Sequence, residues 1–277
     1  MARREFRGVS YEKTLINLYV LNSVGRTRMR SHRVHIISAT EHAVYSASHV
    51  MHVPHLHDWP ATEAEAVALQ HAIAGRVDTS VPLGTVELIA GCDIAYHLTE
   101  PRLFACVVVL KAHDLSVVEE AAVTREVTFP YIPGLLSFRE IPALLAAFAE
   151  LRQPPDAVML DGQGIAHPRR FGLACHLGLW LNRPCVGCAK SWLVGDYAEP
   201  GPQAGDAAPL TINGEEVGAV VRSAAGAKPV YVSPGHNIDV ASATELVRAT
   251  LSGYRHPAPT RAAHMAANRA RGGAGVS

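Results

Sequence analysis

The chain predicts an α/β fold built on a mixed sheet, an antiparallel meander followed by parallel strands, with helices on both faces. Three β-rich runs, Val86–Tyr96, Leu103–His113 and Ser116–Thr128, follow one another across short polar or proline-containing breaks, which suits antiparallel neighbours. After them strand-like and helix-like segments alternate, which excludes an all-β architecture. With 277 residues, 48% of them hydrophobic, there is enough apolar side chain for one sizeable core.

Taken in order, Ala61–Val77 is alanine-rich with Val67, Leu69 and Ile73 at helical spacing, a helix packing on the surface of the domain. A turn at Pro130–Gly134 leads into a helix from Ser137 through Leu151. The apolar strand Ala157–Asp161, a helix from about Phe171 to Leu181 and a strand Pro184–Ala189 come next. Gly, Pro and Ala dominate Asp196–Pro209, which reads as a surface loop. Strands Glu216–Arg222 and Pro229–Ser233 and a helix over Ser242–Leu251 complete the pattern. Residues 1–50, rich in arginine and histidine, read as an appended basic extension: a disordered arm that touches a nucleic-acid backbone, a solvated extension, or the product of a start codon chosen too far upstream. Residues 51–262 form the single expected domain, and 263–277 a flexible tail, since the chain beyond Tyr254 holds Arg255, Arg261, Arg269 and Arg271 and no acidic residue.

Lysine plus arginine and aspartate plus glutamate both number 25, so net charge exerts no global pull on a polyanion and local clusters must do so. Five cysteines, an odd count set in apolar runs, fit a reducing compartment better than a disulfide framework. No run approaches the roughly 18 apolar residues of a membrane span, and the basic N-terminus lacks a signal-peptide core. A cytoplasmic protein with no membrane partner is expected.

Asp93 lies in the otherwise apolar run Ile89–Tyr96, where an ionised carboxylate is expensive unless paired or bound to a cation; the small neighbours Gly91 and Ala95 share its face. An aspartate solvated at a strand exit is the plainer alternative. Asp161 ends an apolar strand ahead of Gly162, Gln163 and Gly164, at the carboxyl end where ligand sites of open α/β sheets collect, although the glycines could merely make a turn. Glu140 fits a capping box with Ser137, in which its side chain reaches back to the helix's first N–H. His236, after a strand, could ligate a metal or move a proton, but it is one of 15 histidines. His167, Arg169 and Arg170 precede a helix, where free N–H groups and cations suit a phosphate, and Lys190 offers a point charge at another strand end; salt-bridged or solvated side chains explain these equally. Cys185 and Cys188 form a C-x-x-C, but residues three apart on a strand point to opposite faces and no second pair completes a zinc site, so buried free thiols are expected.

As strings, these segments resemble the endonuclease V family, the deoxyinosine 3′ endonucleases, from about His57 to Arg261. The resemblance is carried by Gly91–Tyr96, by the distinctive run Pro130–Glu140, by Asp161–Gly172 and Gly187–Lys190, by Gly235 and His236, and by Gly253–Arg261. It implies a ribonuclease H-like fold and a Mg2+ site on Asp93, Glu140 and Asp161, with Mn2+ as a substitute. His236 would lie close by and Lys190 near the scissile phosphate. It further implies that Tyr131 is a wedge separating strands beside a deaminated base, with substrate contacts at Pro133, Gly134, Gly162, His167, Arg169 and Arg170. The implied reaction, by a monomer acting on DNA that contains deaminated bases, hydrolyses the second phosphodiester bond 3′ to hypoxanthine, leaving a 3′-hydroxyl and a 5′-phosphate. Inosine-containing RNA, branched DNA and a non-catalytic nucleic-acid binding module are the alternatives. Three positions depart from the family's usual pattern: Gln163 where histidine is frequent, Cys188 where valine is, and Asn237 where arginine is.

Overall fold

The computed structural model describes residue 51 and residues 53–273, so the basic extension assigned to residues 1–50 lies outside the described residues apart from its boundary at Met51. One nine-stranded sheet runs through the domain. Strands β1 (Leu88–Tyr96), β2 (Arg102–Lys111) and β3 (Val117–Glu126) form the expected antiparallel meander. β1 pairs in parallel with β4 (Ala157–Leu160), and β4 in parallel with β5 (Cys185–Ala189). Beyond β5 the sheet turns antiparallel again through β9 (Val230–His236), β8 (Glu215–Val221), β7 (Ala207–Ile212) and β6 (Asp196–Tyr197), giving the order β3-β2-β1-β4-β5-β9-β8-β7-β6.

The pleat divides the core in two. Ala90, Cys92, Ala105 and Val107 face helices α2 (Leu136–Ala149) and α3 (Leu173–Leu181), while Ile89, Phe104, Cys106 and Val108 face α4 (Val240–Ala249) and α5 (Ala258–Gly273). Such two-sided cover explains why β2 and β4 read as nearly continuous apolar runs. The remaining helix, α1 (Glu63–Ala74), starts with a capping box in which Thr62 Oγ1 accepts from the Glu65 N–H and the Glu65 carboxylate accepts from the Thr62 N–H. No described helix is long and apolar enough to cross a membrane.

Two expectations are corrected. The loop expected over Asp196–Pro209 contains β6 and the start of β7, and Asn213 and Gly214, both at positive φ, make a two-residue turn joining β7 to β8. Burial of Ala208 and Leu210 on the pleat outweighs the weak strand propensity of the alanines and Pro209. Nor does a flexible tail begin at 263: α5 continues to Gly273, with Ala263, Ala266 and Ala267 buried at helical spacing against β1 and β2. Four arginines and no acid look like a solvated tail, but the small alanine stripe lets the helix lie close to the sheet.

That closeness needs Gly91. A β-carbon there would sit 1.9 Å from the carbonyl oxygen of Pro259, a backbone atom in the first turn of α5. Gly91→Ala is therefore expected to lower stability by about 1–3 kcal/mol, the usual range for overpacking. Thermal denaturation of wild type and variant measures it, with a fall in Tm as the expected result.

Candidate active site

The parallel register pairs Cys92 with Leu160, so Asp93, inside β1, and Asp161, just past the end of β4, each stand one residue beyond that pair, side by side. Glu140 arrives from α2 on the α2/α3 face and is 8% exposed. The three carboxylates feel one another. Glu140's pKa is raised to about 7, first by burial and then by the charges of Asp93 and Asp161, against the lowering effect of a hydrogen bond that the Tyr96 hydroxyl donates to Oε1 at 2.8 Å. Asp93 is also raised, by burial foremost and by the Asp161 charge, with a hydrogen bond from His264 acting the other way.

Each carboxylate leans on a protein partner. Lys190 Nζ lies 2.6 Å from Asp161 Oδ2. His264 Nδ1 lies 2.7 Å from Asp93 Oδ2, and the Asn268 side-chain amide donates to His264 Nε2 at 3.1 Å, leaving the ring proton on Nδ1 for Asp93. Among the described residues no three His, Cys, Asp or Glu side chains make a ready-closed metal cluster. The donor chemistry nevertheless fits a hard divalent cation: three carboxylates from three elements, mutually repelling, two of them biased toward protonation by burial and by their neighbours' charge.

The capping box expected of Ser137 and Glu140 is open. Leu135 occupies the N-cap with no side-chain hydrogen bond, the Ser137 hydroxyl pairs with His176 Nδ1 at 3.0 Å, and Glu140 is turned to Tyr96. His236 is not brought to the carboxylates. β9 runs antiparallel to β5 and pairs His236 with Cys185, at the amino end of β5, whereas the site lies at the carboxyl end of β4. There His236 Nδ1 accepts the Asp78 N–H at 3.2 Å, and burial lowers its pKa. The histidine at the site is His264, on the helix that replaces the expected tail. Its signal was the alanine spacing through Ala263, Ala266 and Ala267, which puts a helix under that histidine.

A cavity of about 340 Å3 opens beside Asp161, lined by Tyr131, Pro133, Gly134, Gly162, His167 and Lys190 together with apolar and aromatic side chains. Tyr131 is 68% exposed at it. Behind it, Gly134 at φ +81 presents a carbonyl oxygen that accepts from Gln70 Nε2 at 3.0 Å, His167 Nε2 at 3.1 Å and Arg169 Nη2 at 2.9 Å. Burial and the Arg169 charge push His167 down to about 4, so it acts as a neutral donor. Arg169 thus braces the loop, Arg170 is paired with Glu215, and neither lines the cavity. All five cysteines are free and buried, Cys185 and Cys188 on opposite faces of the sheet, with burial pushing both thiols up, the reverse of a reactive thiol.

With the geometry in place, comparison with known proteins is specific. A family model described as Endonuclease V matches residues 70–265. The chain is similar to endonuclease V of Azotobacter vinelandii, 48% identical over 212 residues that cover 76% of this chain and 96% of that protein. It is similar also to the crystal structure of endonuclease V from Streptomyces avermitilis, with 44% identity and a TM-score of 0.75 over 79% of this chain and 96% of that one. A variant of Ciona intestinalis endonuclease V, in complex with a 23mer DNA containing an inosine followed by a ribo-adenosine, matches at 25% identity and a TM-score of 0.66 over 76% and 97% of the two chains. These are endonuclease V structures, and the chain shares their ribonuclease H-like fold.

The raised Glu140 pKa has a sign that can be tested. Because the folded protein holds this proton up to about 7, against 4.5 for an ordinary glutamate, the group favours folding at low pH and that contribution is lost as pH rises through 7. Glu140→Gln, which cannot ionise, should therefore stabilise the protein at pH 8 by on the order of 1–3 kcal/mol and have little effect at pH 4.5. Denaturant titration in the presence of a chelator at the two pH values gives both numbers.

Proposed function

We propose, on the premise that this chain belongs to the endonuclease V family, that it is a metal-dependent DNA-repair endonuclease which hydrolyses the second phosphodiester bond 3′ to deoxyinosine. The observation that carries this reading is that Asp93, Glu140 and Asp161, from β1, α2 and β4, meet as one mutually repelling group, with Asp161 also lining the cavity. Their oxygens would hold Mg2+, or Mn2+ in its place. Bound there, the cation supplies positive charge that favours ionisation of an attacking water and offsets charge on the leaving oxygen.

The chain's own groups have distinct tasks. His264 Nδ1–H holds the Asp93 carboxylate in orientation, and Tyr96 O–H does the same for Glu140. Lys190, 2.6 Å from Asp161, is the cation beside the carboxylates best placed to pair with a phosphate oxygen. Tyr131, on a loop fixed through the Gly134 carbonyl, wedges beside the lesion, where a deaminated base costs least to unstack. Pro133, Gly134, Gly162 and His167 line the cavity that receives it. Water adds to phosphorus, the bond to the 3′-oxygen breaks, and a 3′-hydroxyl and a 5′-phosphate result.

Purified protein with Mg2+ should nick an inosine-containing DNA strand one nucleotide beyond the lesion. Asp93→Ala and Asp161→Ala should lower the rate by more than about a hundredfold while leaving the substrate bound, as loss of a directly acting group does. Unchanged cutting by Asp161→Ala would overturn the assignment. Inosine placed in DNA and in RNA of the same sequence, assayed side by side, should show the DNA cut faster; the reverse result would make RNA the substrate.

A further inference from the structure

Trp192 is left without a task by the chemistry above. It stands in the loop between β5 and β6, two residues past Lys190, and is 54% exposed. An indole has one polar atom, and here Nε1–H donates to the Gly195 carbonyl at 2.8 Å. With that atom engaged, the exposed ring has only its carbon edge and π face to offer. The loop is already fixed just ahead of the ring: the Gln163 side-chain amide donates to the Ser191 carbonyl at 2.9 Å, and the Arg255 guanidinium donates to the Lys190 carbonyl. Trp192 lines the same cavity as Tyr131, Asp161 and Lys190. An exposed, pre-ordered aromatic face beside an ammonium group is the chemistry that takes a nucleotide, with a base to stack and a phosphate to pair.

We propose that Trp192 stacks on the base of the single nucleotide that lies between the deaminated base and the phosphate to be cut. This rests on the proposed function, in which the scissile bond is the second one 3′ to the lesion, so that one nucleotide must span from the cavity to Asp161 and Lys190. Tyr131 and Trp192 then have different tasks, the first separating strands at the lesion and the second holding the extruded strand on course to the carboxylates. Stacking tolerates any base, so this contact adds affinity and register without reading sequence.

The test compares wild type, Trp192→Phe and Trp192→Ala on two inosine-containing DNA strands with Mg2+, one carrying a normal nucleotide 3′ to the inosine and one an abasic residue there. On the normal strand Trp192→Ala should raise KM about thirtyfold, the middle of the range for an aromatic stack on a base, while Trp192→Phe stays near wild type. On the abasic strand wild type should lose the same factor and Trp192→Ala should lose nothing more, a pattern a merely structural tryptophan would not give. Equal KM for Trp192→Ala and wild type on the normal strand overturns the assignment, as do losses that multiply on the abasic strand. If wild type nicks neither strand at the inosine, the proposed function fails and this assignment fails with it; normal nicking with the first two patterns refutes Trp192 alone.

Discussion

Asp93, Asp161 and Glu140 repel one another in a place where water does little to screen them, and much of the surrounding structure serves to hold that arrangement. The parallel pairing of β1 with β4 puts the two aspartates side by side, and α2, from the other face, adds a buried glutamate. Three partners keep the cluster intact: Lys190 on Asp161, His264 on Asp93 and Tyr96 on Glu140. Burial first, and then the charges of Asp93 and Asp161, still raise Glu140 to about 7, and a divalent cation held by the three oxygens suits such a site.

The cavity side depends on a different economy. One carbonyl, that of Gly134, receives donors from Gln70 on α1 and from His167 and Arg169 ahead of α3. Gln70, 1% exposed, also donates to the Phe171 carbonyl and accepts from Arg169, so a buried amide ties α1 to two loops. The loop that exposes Tyr131 is in this way anchored just behind its tip. A side chain held this rigidly loses little conformational freedom on meeting a partner, which is where preorganisation adds to affinity.

Much of this was legible in the sequence, and the failures share a cause. The meander, the β4 and β5 strands and the α2 and α3 helices follow from runs of apolar residues and turn signals, and Asp93 and Asp161 stand out because a charge in an apolar strand is costly. Glu140 was harder, since Ser137 three residues before it matches a capping box. Only the fold reveals that Ser137 is engaged with His176 and Glu140 with Tyr96. His236 was misplaced because a strand end says nothing about strand direction: β9 is antiparallel to β5, which carries its last residue to the far end of the sheet. His264 was missed because the arginines around it outweighed the alanine stripe that buries α5. The Asn213-Gly214 turn was in plain view, and reading it would have found β7.

Anomalous diffraction from crystals equilibrated with Mn2+ at pH 8 tests the cation site most directly. The expected result is a peak in contact with Asp93, Glu140 and Asp161 that is absent in Asp161→Asn. A peak elsewhere, one that leaves Glu140 untouched, or one that persists in Asp161→Asn would contradict the assignment of these three carboxylates to the metal.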